Sequence, residues 1–118
     1  MWIPDAGLLV VDKLIASESH DAASFLHLAR GAELRDGQVR GTQVLPLGGD
    51  PDLTVEQGHY APFLGTAHPT QILVRRRRVQ PGEAWGWALL RAGLTASLKG
   101  GVARVARPGR ATLALTVD

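Results

Sequence analysis

A chain of 118 residues, 45% hydrophobic and 20% charged, has the size and composition of one globular domain rather than of a disordered segment, and can bury about 65% of the surface that its unfolded form exposes. It contains no cysteine, which excludes disulfides and thiolate metal sites. The net charge is only +2, and Lys13 and Lys99 are the sole lysines among 13 basic residues, so basicity is local, concentrated in Arg75 to Arg78 and spread through Arg104, Arg107 and Arg110.

In chain order, Pro4-Asp5 predicts a helix start. Asp5 can cap free amides while Leu8, Val11, Leu14 and Ile15 recur on one face, giving a helix over about 6–16. The apolar run Gly7 to Val11 is cut by Asp12 and Lys13, and no basic segment precedes it; neither a signal peptide nor a transmembrane helix is expected, and no membrane partner. SESHDAAS reads as a loop, because its hydroxyl and acidic side chains compete for backbone hydrogen bonds. FLHLAR, Phe25 to Arg30, reads as a strand ending at Gly31. Residues 31–69 are rich in Gly, Pro, Asp and Thr and predict a functional or interface loop holding one or two short strands, at VLPL and LTVEQ.

Beyond Pro69 the pattern is β. TQILVRRRRV and AWGWALLRA flank Pro81-Gly82, a pair suited to a tight turn, and predict a hairpin over about 70–91. Lys99-Gly100-Gly101 separates a second pair, VARVAR and ATLALTVD, joined at Pro108-Gly109 into a hairpin over about 102–117. The expected fold class is α+β: a single domain, 1–118, with an N-terminal helix followed by a mostly antiparallel sheet or sandwich.

The arginine run poses the functional question. Successive side chains of a strand point to opposite faces, so Arg76 and Arg78 continue the side of Ile72 and Val74, while Arg75 and Arg77 continue that of Leu73. A strand with one face in a core cannot carry arginine on both faces at its middle without burying charge. This arm of the hairpin is therefore expected to project beyond the core or to lie against a partner. Three uses are open: a solvated hairpin tip with carboxylate neighbours such as Glu83 and Glu56, a protein interface of Arg75, Arg76, Arg77, Arg78 and Trp85, or phosphate contacts with Trp85 or Trp87 stacking on bases. Trp85, Trp87 and Leu89 alternate with Gly86, Ala88 and Leu90, as one large-residue face of a packed strand does.

Chemistry is sparse. Glu56, His59 and His68 stand in Gly/Pro-rich surroundings where helical spacing carries little weight, and no metal site is expected from them. Ser19, His20 and Asp21 are neighbours in sequence, which does not make a triad. Gly48-Gly49 and Gly100-Gly101 lack the lysine-hydroxyl ending of a phosphate loop. No catalytic residue, cofactor or enzymatic activity is expected.

The order AGLLVVDKLIA, FLHLARG, a polar stretch, ILVRRRRVQPGEAWGWALLRAGL, GGVARVAR and ATLALTVD resembles the N-terminal domain of bacteriophage tail-collar and tail-fibre proteins. That family opens with an Ala-Gly-Leu helix and follows with an apolar strand closing on glycine, a turn with glutamate, a Gly-Leu segment and an alternating strand. The corresponding positions are Ala6 to Ala16, Phe25 to Gly31, Pro81 to Glu83 and Gly93-Leu94. Arg91 departs from the family's acidic residue, and the sequence stops at Asp118, where the family continues into a fibre shaft. The resemblance implies a small structural adaptor of a virion tail or baseplate, assembled in the host cytoplasm, joining other virion structural proteins in symmetric copies. The alternative from the residues alone is a small basic nucleic-acid-binding β module using Arg75 to Arg78.

Overall fold

Residues 6–16 are not a helix. The computed structural model describes residues 1–49, 53–60 and 68–117, and among these the chain is all-β, which corrects the expected α+β class with its N-terminal helix. The strands are β1 (Trp2–Ile3), β2 (Gly7–Lys13), β3 (His20–His27), β4 (Gln38–Val39), β5 (Thr42–Leu47), β6 (Leu53–Tyr60), β7 (His68–Val79), β8 (Ala84–Arg91), β9 (Thr95–Lys99), β10 (Val102–Ala106) and β11 (Leu113–Thr116). The helical stripe misled because Gly7 to Val11 is apolar on every position. Such a run suits a strand with apolar neighbours on both faces as well as it suits a helix. Leu9, which falls off the helical stripe, is buried, whereas Ile15, which lay on it, is 92% exposed.

Three antiparallel sheets result, in the orders β1-β2-β8-β5-β4, β3-β7-β6 and β11-β10-β9. The five-stranded sheet is the centre, because apolar clusters form on both of its faces. Leu9, Leu47, Ala88 and Leu90 pack with Leu94, Ala103 and Val105 towards the β9–β11 sheet. Val44 and Trp87 pack with Leu73 towards the β3-β7-β6 sheet. Strand β8 lies between β2 and β5 and is mostly buried. Gly86 sits at its middle, where a Cβ would come within 1.9 Å of the Val10 carbonyl oxygen, so any side chain there would force the β2–β8 ladder apart.

The predicted hairpin over about 70–91 has its turn but not its pairing. The Glu83 amide donates to the Gln80 carbonyl at 3.0 Å and Gly82 takes φ +78°, as the Pro-Gly pair predicts. Strands β7 and β8 nevertheless belong to different sheets, since each already has ladder neighbours on both sides: β3 and β6 for β7, β2 and β5 for β8. The turn arches from one sheet layer to the next. By contrast β10 and β11 do pair, from Val102 with Thr116 to Val105 with Leu113, as predicted. VLPL and LTVEQ lie in β5 and β6. Strand β9 went unpredicted, and β3 begins at His20, inside the segment read as a loop.

Candidate interface around the arginine run

Strand β7 runs through the middle of its sheet, and the alternation of its side chains sorts the four arginines. Arg75 and Arg77 share the inward row with Leu73, and Arg76 and Arg78 share the outward row with Ile72. Arg75 is fully buried. The expectation was that this strand projects beyond the core or lies against a partner so that no charge is buried; instead a guanidinium is taken inside and satisfied there. Its Nη1 donates to the carbonyl oxygens of Leu47 at 2.8 Å and Gly86 at 2.5 Å, and its Nη2 to that of Gly48 at 2.7 Å. The planar group also lies 5.2 Å from the Trp85 ring centroid and 5.7 Å from that of Trp87, close enough for attraction to the negative ring faces, worth about 2 kcal/mol where water is excluded.

Trp85 and Trp87 are 5% and 3% exposed, so the arched turn stacks them across the layer gap from β7 rather than presenting them to solvent. The Trp87 indole N–H donates to the Ser24 hydroxyl at 2.8 Å, which places a hydroxyl of the misread SESHDAAS segment in a structural role. Arg77 is half-buried. It pairs with Glu83, donates to the Gly48 carbonyl at 3.1 Å and reaches to 6.0 Å from the Trp85 ring. Glu83 in turn accepts from the Gln80 amide at 2.9 Å, tying the arch to the strand before it. Arg75, Arg77 and Trp85, three of the residues expected at an interface, are thus buried or half-buried within this chain.

Arg76 and Arg78 do face solvent. Arg76 makes a two-pronged contact with Glu56 on β6 and lies 5.8 Å from the Phe25 ring centroid on β3. Arg78 reaches Asp21 on β3 at 3.2 Å. The hydrogen bond from Arg76 holds the Glu56 carboxyl below its usual range, and the same contact raises Arg76 further above its already high value. Phe25 is 53% exposed and stands opposite Val74 in the ladder. The outward face therefore combines an aromatic ring with two arginine–carboxylate pairs on a three-stranded frame. Asp21 and Phe25 were not foreseen as neighbours of the arginines, because the β3–β7 ladder that brings them there joins segments far apart in the chain.

Glu56 and His59 both lie on β6, where a separation of three residues puts them on opposite faces, and the His68 side chain lies outside the described residues. Among the described residues no group of three His, Cys, Asp or Glu could hold a metal ion. No family model, curated protein or solved structure matches the chain.

Proposed function

We propose that this protein is a non-catalytic structural module that joins other protein subunits, in symmetric copies, through the outward face of the β3-β7-β6 sheet. Attachment within a virion tail or baseplate is the particular role that the order of its segments suggests, although the opening helix of that resemblance is a strand. The observation that carries the reading is the placement of Arg76 and Arg78 with Phe25: exposed guanidinium groups and an aromatic ring on one sheet face, the residue types that contact cores favour. Each arginine is held by a carboxylate that a partner's carboxylate can share or replace, which gives geometric specificity. Nucleic-acid binding by the same run has less support, because Trp85 and Trp87 are buried away from any base and Arg75 points inward.

Light scattering on a sizing column tests this. The wild-type chain is expected to form a discrete oligomer, and Arg76→Ala with Arg78→Ala to give a folded monomer with an unchanged circular dichroism spectrum. A wild-type monomer at all concentrations, or a double variant that assembles like wild type, defeats the reading.

A further inference from the structure

A second surface lies on the five-stranded sheet, away from the arginine run. Trp2, Leu8, Leu89 and Val44 are successive cross-strand partners over β1, β2, β8 and β5, so their side chains form one row on one sheet face. Val44, at one end of the row, is buried against the β3-β7-β6 sheet. Trp2, at the other, is 70% exposed. The apolar row thus runs out of the core into the floor of an open groove of about 980 Å³, lined by Trp2, Leu8 and Leu89.

Three arginines edge this groove, Arg40, Arg91 and Arg110, against the single carboxylate of Asp5. Their state differs from that of the other exposed arginines beside carboxylates. Arg35, Arg76 and Arg78 each sit in an ion pair, whereas among the described residues the groove arginines show contacts only to backbone oxygens: Arg40 donates to the Arg30 carbonyl at 3.3 Å and Arg91 to that of Asp5. Arg40 is also held at an unusual backbone position. It and Gly41 form the two-residue turn between β4 and β5 with φ of +50° and +81°, a turn whose first position ordinarily takes Asn, Asp or Gly. A bulky cation there costs backbone strain that an asparagine would avoid.

An exposed indole over an aliphatic floor, with three cations at its rim that have no carboxylate partner among the described residues, is complementary to a ligand carrying both carboxylates and an apolar side chain. We propose that this groove docks an acidic segment of a partner protein, its carboxylates on Arg40, Arg91 and Arg110 and an apolar side chain on Trp2 and Leu8. The floor favours a peptide over a nucleotide, because Leu8 and Leu89 offer no hydrogen bonds to the polar edges of a base. This surface is separate from the Arg76–Arg78 face and does not rest on it.

The test is a titration of the full chain, by calorimetry and tryptophan fluorescence, with a short peptide in which glutamates flank leucines, with its glutamine counterpart, and with an oligothymidylate of similar length. The acidic peptide is expected to bind at low salt, to perturb Trp2 emission, and to weaken as salt screens the arginines; the glutamine peptide is expected not to bind. Arg40→Asn with Arg110→Gln should weaken binding about tenfold or more with no loss of thermal stability, since asparagine accepts the turn geometry better than arginine. Absence of acidic-peptide binding, equal binding of the glutamine peptide, or an unaffected double variant overturns the proposal. Tighter binding of the oligothymidylate overturns it as well and makes the groove a nucleic-acid site. Arg76→Ala with Arg78→Ala should leave this titration unchanged, so either surface can fail without the other.

Discussion

The two faces of β7 carry the same residue under opposite conditions. Arg75 and Arg76 are adjacent in sequence, yet one is fully buried between tryptophans and backbone carbonyls and the other lies in solvent beside Glu56 and Phe25. What separates them is the period of the strand, which turns alternate side chains to opposite sides, so that Arg75 meets β5 and β8 while Arg76, on the other row, reaches solvent. A buried guanidinium is tolerable here because its donors meet carbonyl oxygens held in place by β8 and by the end of β5 with the residue after it. Charge in a β-protein is therefore judged by what faces it rather than by the run in which it occurs.

Substitutions can break this contrast. The largest effect is expected from Trp87→Ala, which empties the inward side of the layer gap and strands the Ser24 hydroxyl; it should cost about 3–5 kcal/mol in denaturant unfolding. A loss far below that range would mean that the gap collapses without the ring. Arg75→Met comes next, because the buried carbonyl oxygens of Leu47 and Gly86 lose donors at about 1–3 kcal/mol each. Arg76→Met, one residue on, should leave the unfolding midpoint close to wild type. If the two methionine variants unfold alike, the distinction between the faces is wrong.

The smallest effect concerns the outward face alone. Glu56 has a folded pKa below its unfolded one, so its contribution to stability is present above the unfolded value and is lost as pH falls through the folded value. Arg76 stays charged throughout that window. Thermal midpoints of wild type and Glu56→Gln should differ slightly at neutral pH and converge in acid, below the usual carboxylate range. Midpoints that diverge as the pH is lowered would contradict the pairing.

Pattern reading succeeded where local chemistry and tertiary packing agree. Pro108-Gly109 and the alternation around it specify the β10–β11 hairpin, and VLPL and LTVEQ are strands among turn residues. It failed where one local pattern serves two structures. Gly7 to Lys13 has apolar residues at helical spacing but is the partner of β8, and SESHDAAS has loop composition but from His20 onward it is part of the β3 ladder beside the arginines. The groove at Trp2 was hidden for a different reason: Trp2, Arg40, Arg91 and Arg110 come from four distant segments, and their convergence has no signature along the chain.

By itself the sequence determined a β-rich chain without thiol chemistry, a tight turn at Pro81-Gly82 and a closing hairpin, because turn residues and period-two alternation act over a few neighbouring positions. Only the tertiary structure decided that β7 and β8 part at that turn into separate layers, and with it which arginines are buried and which are free to meet a partner. Pairing between strands depends on which neighbours compete for each edge, and that competition involves residues far apart in the chain.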